Sequence, residues 1–323
     1  MTTIKDIAQR ANVSISTVSY ALNGNPLVSA ETSSRILSIA KEMNYMPNAA
    51  ARFLKTRKTQ IVGVFLASFS GSFYDKLLRG MQEVFVPAKY SVIICSGPQS
   101  QRLLTQRMLD GAAILDRHFS DKSLNMLAAH KQPIVVLDRE SHHDTTAQVL
   151  LDNVGGATQA MDYCYGRGFR RFYIVTGPTG TYDSDMRLAA VQAFLRAHPD
   201  VTGHILPGAF DKASGARAAE HIISHGVENA VSFCFNDEMA VGMYNYLQQT
   251  TFEIGKDVHI MGFDNIELSQ YLSPRLTTIN YSLEDWGRRS AQALLNLMQG
   301  NPCAPQVIHT SIFEGQSVGR TCE

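Results

Sequence analysis

The chain has 323 residues, of which 45% are hydrophobic, and this length predicts two or three domains at roughly 150 residues each. Its 29 basic and 29 acidic side chains cancel, which argues against a surface built throughout for nucleic acid or for an anionic membrane. No apolar run approaches the ~18 residues that a membrane span needs, and Asp6 lies where a signal peptide would be apolar. We therefore expect a cytoplasmic protein with no membrane partner.

The sequence carries no pattern typical of an enzyme or a metalloprotein. Its five cysteines are scattered, with no CxxC pair and no histidine at ligand spacing: Cys95, Cys164, Cys234, Cys303 and Cys322. It has no nucleophile elbow, no phosphate-binding loop and no cluster of metal ligands, and its ten histidines are dispersed. We expect reduced thiols, no catalytic residue, no metal and no cofactor.

The neutral total conceals an uneven distribution of charge. Residues 1–60 contain eight basic and three acidic side chains, whereas the other 263 residues contain 21 basic and 26 acidic ones. A basic head of +5 therefore precedes a body of −5, which indicates a head that binds a polyanion. A chance fluctuation of surface charge is the alternative.

The first 44 residues predict three short helices. The first begins after Thr3, the second is capped by Ser14 or Ser16 and ends near Gly24, and the third runs from about Ala30 to Asn44. Two short helices joined by a tight turn form a helix-turn-helix, whose second helix enters the DNA major groove. That placement exposes the side chains of Ile15, Ser16, Thr17 and Tyr20 to the bases.

The next segment, from Pro47 to Thr56, favours a helix because it starts with proline and contains three alanines. A helix of about nine residues is not stable alone. We expect it to fold only when another surface packs on it.

From Ile61 onward, β-branched runs alternate with amphipathic helical stretches. The predicted strands are 61–67, 92–95, 113–115, 134–137, 173–176, 231–235 and 258–263, and the clearest helices are 74–85, 187–197 and 237–248. This alternation predicts an α/β body of two doubly wound lobes with parallel sheets.

Ligands in such folds bind beyond the carboxyl ends of the strands. Residues near those ends include carboxylates, an amide, a guanidinium and aromatic rings: Phe73, Asp138, Arg187, Phe210, Asn236 and Asp264. Vicinal hydroxyls exchange hydrogen bonds with the polar groups and the apolar face of a sugar packs on the rings, so a polyhydroxylated ligand fits them. Asp138 or Asn236 could instead cap the next helix, and Arg139 could form an interdomain salt bridge.

Several motifs of the head resemble those of the lactose-repressor/galactose-repressor family of bacterial transcription regulators. They are Thr3-Ile4-Lys5-Asp6-Ile7-Ala8, Val13-Ser14, Thr17-Val18-Ser19, Leu22-Asn23-Gly24, Tyr45-x-Pro47-Asn48 and Ala51-Arg52-x-Leu54. The resemblance implies a headpiece over residues 1–46 and a hinge helix and linker over 47–60. The predicted DNA-binding residues are Thr3, Ile15, Ser16, Thr17, Tyr20, Asn48, Arg52, Leu54 and Lys55.

In that family, paired hinge helices of two subunits insert a leucine into the minor groove at the operator centre. Leu54 occupies the leucine position here, and such a wedge kinks the duplex. Alternatively, Leu54 packs on the body as a linker residue. The chain departs from the family at Tyr20, where Arg or His is common, so the operator sequence of a relative cannot be transferred to it.

The body resembles the family's periplasmic-binding-protein-like regulatory domain. The similar motifs are Val136-Leu137-Asp138-Arg139, Gly177-Pro178, Arg187-Leu188-Ala189, Phe235-Asn236-Asp237 and Gly262-Phe263-Asp264-Asn265. The resemblance places Asp138, Arg187, Phe210, Asn236 and Asp264 at effector-contacting positions, and the Asp with Asn combination is typical of sugar effectors.

The same resemblance divides residues 61–323 into an N-lobe of about 61–150 plus 280–308 and a C-lobe of about 151–279 plus 309–323. The chain would then cross between the lobes near Leu151, Ile279 and Ile308. Phe169 and Glu314 depart from the family pattern. The sequence has no leucine heptad tail after Ile308, so we expect a homodimer that binds two half-sites of double-stranded operator DNA.

These features predict a sequence-specific transcriptional repressor whose operator affinity is controlled by a small molecule, a sugar or sugar derivative, bound between two lobes. One alternative is a corepressor-dependent regulator of the same fold. Another is a solute-binding protein, but it needs export and does not explain the basic head. The sequence leaves open whether the effector releases DNA or promotes its binding.

Overall fold

A computed structural model describes residues 2–46, 53, 58–69, 73–141, 143 and 145–321 of the chain. The chain divides into two compact units, Met1–Thr59 and Gln60–Glu323. The first unit is a small helical head and the second is an α/β body.

Residues 2–46 of the head contain three helices: α1 Ile4–Ala11, α2 Ile15–Leu22 and α3 Ala30–Glu42. They pack around Ile7, Val18 and Ile36, whose side chains are fully buried. The ends of α1 and α2 follow from their caps, since Thr3 and Asp6 form a capping box and the Ser14 hydroxyl accepts a hydrogen bond from the Thr17 amide. The predicted helix-turn-helix is therefore confirmed, and the third helix ends two residues earlier than expected.

The described residues of the body form two six-stranded sheets. The first has the order β11-β5-β4-β3-β1-β2, with β1 Ile61–Leu66, β2 Ser91–Cys95, β3 Gly111–Leu115, β4 Ile134–Val136, β5 Thr146–Leu151 and β11 Gln306–Ile308. The second has the order β12-β10-β9-β8-β6-β7, with β6 Arg171–Val175, β7 Thr202–Leu206, β8 Ala230–Cys234, β9 His259–Phe263, β10 Thr277–Asn280 and β12 Ser311–Phe313. Neighbouring strands are parallel, except β10 and β12.

Helices connect these strands. In chain order they are α4 Tyr74–Phe85, α5 Arg102–Thr105, α6 Asp121–Ala129, α7 Asn153–Gly166, α8 Tyr182–Ala197, α9 Lys212–His225, α10 Asp237–Leu247 and α11 Leu283–Met298, with short 3₁₀ turns at Pro98–Gln101 and Glu267–Tyr271. The two doubly wound lobes predicted from the alternating pattern are thus present.

Five of the described strands were not predicted from the sequence, namely β5, β7, β10, β11 and β12. Strands β7, β11 and β12 lie at sheet edges, and the last two have only three residues each, which is too short for a hydrophobic period to show. The chain passes from the first sheet to the second after β5, returns after β10, and crosses again between Ile308 and Ser311.

Helices α4 and α11 cross at two glycines. A Cβ atom on Gly80 would lie 2.1 Å from the carbonyl oxygen of Glu284, and one on Gly287 would lie 2.1 Å from that of Leu77. Only hydrogen at both positions lets the two backbones approach this closely. This crossing sets the start of α4 beside the first turn of α11.

Candidate functional site

A cavity of about 860 Å³ lies between the two lobes of the body. Its walls include the loops that follow β1, β3 and β4 in the first sheet and β6 to β9 in the second. All six residues predicted from the sequence to bind an effector line it: Phe73, Asp138, Arg187, Phe210, Asn236 and Asp264. The structure therefore brings the six side chains to one site, as expected for the carboxyl ends of parallel strands.

Arg187 lies on the second-lobe wall and is only 4% exposed. Its Nε donates to Oδ1 of Asn153 at 2.8 Å, its Nη1 donates to the carbonyl oxygen of Phe235, and Nη2 lies 3.9 Å from Oδ1 of Asp264. Its planar guanidinium also stacks on the ring of Phe263 at 3.6 Å from the centroid. We expected α8 to begin at Arg187 after a loop, which was wrong: the helix begins five residues earlier, at Tyr182.

Asp264 follows β9 directly and is buried. Its backbone has a φ of 115°, a conformation that residues other than glycine rarely adopt. The hydroxyl of Tyr281 donates to Oδ1 of Asp264 at 2.8 Å. Burial raises the pKa of Asp264 to about 7, although the charge of Arg187 and the Tyr281 hydrogen bond oppose the increase. This carboxyl group can therefore change its protonation state near neutral pH.

Asn236 caps helix α10, which was the alternative to ligand binding, and it also lines the cavity. Its Oδ1 accepts a hydrogen bond from the amide of Met239 at 3.0 Å, and its Nδ2 donates to the carbonyl oxygen of Phe210 at 3.1 Å. This second bond holds Phe210, whose φ of 60° is unusual for an aromatic residue. Backbone strain of this kind is concentrated at functional sites.

Asp138 lies on the first-lobe wall, two residues after β4. Arg139 holds it through a bidentate pair, with Nε donating to Oδ1 at 2.9 Å and Nη2 to Oδ2 at 3.1 Å. Burial raises the pKa of Asp138, and the hydrogen bonds from Arg139 oppose this effect. The other hydrogen bonds of Arg139 to described residues are to Asp116, Phe119 and Asp121 in the same lobe, so within the described part of the chain Arg139 orients Asp138 and forms no interdomain salt bridge.

Aromatic side chains form an apolar wall. Phe73 packs edge-on against Tyr74 and Trp286, with ring centroids 5.2 and 6.3 Å apart. The indole nitrogen of Trp286 donates to the carbonyl oxygen of Val149 at 2.7 Å, which joins α11 to β5. The site thus combines flat apolar faces with hydrogen-bonding groups, as sugar-sized ligands require.

Several wall residues were not predicted from the sequence. Those that carry charge or aromatic rings are Arg117, Asp121, Tyr182, Asp183, Asp185, Asp211, Lys212, Glu238, Tyr281 and Trp286. Asn153, which holds both Arg187 and Asp183, was missed as well. Tyr281 and Trp286 follow a strand that was itself missed, whereas the single tryptophan of the chain was a signal that could have been used.

In the head, α2 presents Ile15, Ser16 and Tyr20 to solvent, as predicted. The Thr17 side chain is half-buried, and its hydroxyl lies 2.8 Å from the Ser14 hydroxyl. Thr3 uses its hydroxyl and its amide to donate to Asp6. The other predicted DNA-binding residues, Asn48, Arg52, Leu54 and Lys55, lie outside the described residues, so their role stays a prediction.

Among the described residues, no group of three or more His, Cys, Asp or Glu side chains could hold a metal ion. Within the same part of the chain, every helix is too short or too polar to cross a membrane.

A helix-turn-helix head together with a two-lobed body that encloses a polar cavity defines a ligand-responsive DNA-binding protein. Residues 3–48 match the model of bacterial regulatory proteins of the lacI family, and residues 161–318 match that of the periplasmic binding protein-like domain. The chain is 30% identical to the HTH-type transcriptional repressor PurR of Klebsiella pneumoniae strain 342, over 98% of this chain and 97% of that protein.

Solved structures of LacI-family regulators have the same fold as this chain. A sugar-binding transcriptional regulator of the LacI family from Enterococcus faecalis is 40% identical, with a TM-score of 0.77 over 81% of this chain and 99% of that one. The lac repressor dimer bound to operator has the same fold, with 22% identity and a TM-score of 0.85 over 98% of both chains. The chain belongs to the LacI family, and it is an effector-controlled DNA-binding repressor rather than an enzyme.

Proposed function

We propose that the effector is a neutral polyhydroxylated molecule, a sugar or sugar derivative, bound in the cavity between the lobes. The observation that carries this proposal is the convergence of Asp138, Arg187, Asn236 and Asp264 with aromatic rings on one cavity of about 860 Å³. Carboxylates and the amide exchange hydrogen bonds with hydroxyl groups, and the rings pack on the apolar face of a sugar. The 40% identical relative from Enterococcus faecalis is itself described as sugar-binding.

The charges on the cavity wall favour a neutral ligand over an anionic one. Among the described residues seven carboxylates line it, namely Asp121, Asp138, Asp183, Asp185, Asp211, Glu238 and Asp264, against the four cations Arg117, Arg139, Arg187 and Lys212. Three of those cations already pair with wall carboxylates, since Arg139 binds Asp138, Arg187 faces Asp264 and Lys212 lies 3.5 Å from Glu238. A phosphorylated or carboxylated sugar would therefore meet an excess of negative charge.

Carboxylates of both lobes line the cavity, among them Asp138 and Asp183. Asp183, in the first turn of α8, contributes to raising the pKa of Asp138 on the other lobe, so the two negative charges disfavour a closer approach. A ligand that donates hydroxyl groups to both carboxylates stabilises one arrangement of the lobes over the other. An effector shifts the operator-binding equilibrium only through such a difference in affinity.

We further propose a cytoplasmic homodimer with the boundaries 1–46 for the headpiece, 47–60 for the hinge and 61–323 for the effector-binding body. A pseudo-palindromic operator has two half-sites, and two heads are needed to contact both. In this arrangement effector binding separates the paired hinges and releases the operator.

The fluorescence of Trp286 can be used to test whether the effector is a neutral sugar. This residue is the only tryptophan of the chain and lines the cavity, so a bound sugar should change its emission. The purified protein is titrated with neutral sugars and, separately, with sugar phosphates and uronic acids. A saturable response to a neutral sugar, without turnover of that sugar, supports the proposal; a response confined to anionic compounds contradicts it.

The same sugar is then added to the protein–operator complex, and binding is followed by fluorescence anisotropy of labelled DNA. Release of the operator is the expected result. Tighter binding would instead identify a corepressor-dependent regulator of the same fold.

A further inference from the structure

The recognition helix α2 has an unusual composition for a segment that contacts DNA bases. Its eight residues, Ile15–Leu22, read Ile-Ser-Thr-Val-Ser-Tyr-Ala-Leu. They include no Lys or Arg, no Asp or Glu, and no Asn or Gln. The helix therefore lacks every side chain that forms a bidentate hydrogen-bonded pair with a single base.

Burial narrows the set of side chains that can reach a base. Val18 and Ala21 are buried in the head, whereas Ile15 is 45% exposed and Tyr20 is 39% exposed. Ser16 is exposed next to Ile15 and lies one helical turn before Tyr20, so these three side chains share the outward surface. An aliphatic group, a hydroxyl and a phenol ring thus form the surface of α2.

The major groove shows a different chemical pattern for each base. Guanine is read by the fork of Arg or by Lys, and adenine by the amide of Asn or Gln. Thymine differs by its C5 methyl group, which apolar side chains contact. Serine hydroxyls hydrogen-bond with either kind of base, so Ser16 contributes little discrimination.

We propose that α2 reads its operator through thymine methyl groups, with T·A pairs at the positions that face Ile15 and Tyr20. The inference goes beyond the effector proposal and rests only on the entry of α2 into the major groove. Base discrimination by this helix then comes from apolar contact, while Lys and Arg elsewhere on the chain supply the attraction to phosphates.

The first experiment selects duplexes from a random library with the full-length protein. The expected half-site carries thymine at two positions. The preference for thymine should weaken at one position in Ile15→Ala and at the other in Tyr20→Ala. Guanine at those positions would overturn the proposal while leaving the DNA-binding function intact. Failure to enrich any motif would contradict both.

The second experiment replaces each selected thymine by deoxyuridine, which keeps the base pair but removes the C5 methyl group. Loss of one buried methyl corresponds to a Kd about fourfold higher. The effect at one thymine should disappear in Ile15→Ala, because the side chain that contacts the methyl is gone. If uracil has no effect on the wild-type protein, or the same effect in both alanine variants, the methyl contacts do not exist.

Leu37→Ala is the matched control. Leu37 is 48% exposed on α3, so this variant removes a similar apolar surface from the head without altering α2. It should keep the full sensitivity to uracil. Circular dichroism of each variant verifies that the head remains folded, which is expected because the substituted side chains lie largely outside its core.

Discussion

The guanidinium of Arg187 stacks on the ring of Phe263, with its central carbon 3.6 Å from the ring centroid. Phe263 ends β9, and the next residue is the cavity carboxylate Asp264. This contact therefore joins α8, which carries Arg187, to the end of β9, which Asp264 follows. Because Arg187 is also hydrogen-bonded to Asn153 at the start of α7, three elements position this part of the site.

The shape of this guanidinium leads to the first prediction. In Arg187→Lys the positive charge remains, but a compact ammonium cannot stack on Phe263 while bonding Asn153 and the Phe235 carbonyl. We expect effector affinity to fall by at least about tenfold, or roughly 1.4 kcal/mol. Isothermal titration calorimetry with the sugar found by tryptophan fluorescence measures the change. Arg196→Lys, an exposed substitution on the same helix, should bind normally; equal losses in both variants would refute the role of Arg187.

The second prediction concerns pH and Asp264, whose pKa burial raises to about 7. The ionised carboxylate accepts hydrogen bonds from sugar hydroxyls, so effector affinity should rise between about pH 6 and about pH 8. Stability should change in the opposite direction. A carboxyl group whose pKa is raised on folding stabilises the protein at low pH, and this contribution is lost as pH increases from about 4 to about 7.

Titrations and urea unfolding at a series of pH values measure both effects. Asp264→Asn should flatten the pH dependence of affinity, whereas Asp162→Asn, at an exposed position of α7 outside the cavity wall, should not. An unchanged pH profile in Asp264→Asn would assign the effect to another group.

The third prediction tests the close crossing of α4 and α11. In Gly287→Ala the new methyl group meets the carbonyl oxygen of Leu77, and a backbone atom cannot move aside as a flexible side chain does. Separation of the helices should lower the free energy of unfolding by about 1 to 3 kcal/mol. Urea denaturation measures it.

Gly166→Ala is the control for this substitution. Gly166 is the last residue of α7, and a Cβ added there has nothing within 4 Å. Because alanine favours a helix over glycine, the change should leave stability equal or raise it by up to about 1 kcal/mol. If Gly287→Ala were as stable as Gly166→Ala, the two helices would not need their close approach.

The fourth prediction concerns Leu54 in the proposed hinge. If this side chain is inserted as a wedge into the minor groove, Leu54→Ala should weaken operator binding by about tenfold or more while changing the unfolding midpoint little. Fluorescence anisotropy and thermal unfolding measure the two quantities. An unchanged operator Kd would favour the alternative in which Leu54 packs on the body.

The residues at strand ends were predictable because parallel strands place their carboxyl ends along one edge. Asp138, Asn236 and Asp264 each lie within two residues of the end of a buried strand, so local sequence located them without any knowledge of the lobes. Arg187 was identified as a wall residue but not as part of a helix beginning at Tyr182, because caps before an amphipathic helix are weak signals in a polar loop.

Tyr281 and Trp286 show the limit of that reasoning. They lie where the chain returns from the second sheet to the first, after a strand of only four residues that was itself not predicted. The hydrogen bonds that orient the cavity side chains also join residues far apart in the chain, such as Asn153 with Arg187 and Tyr281 with Asp264.

The sequence by itself determined the helix-turn-helix, the alternation of strands and helices, and the split into a basic head and an acidic body. These properties depend on caps, hydrophobic periods and charge counts, which are local or additive. Only the tertiary structure decided which charges neutralise one another in the cavity and which carboxylates of the two lobes line it. Pairing and burial depend on distances in space, and a chain that crosses three times between two lobes does not preserve those distances in its order of residues.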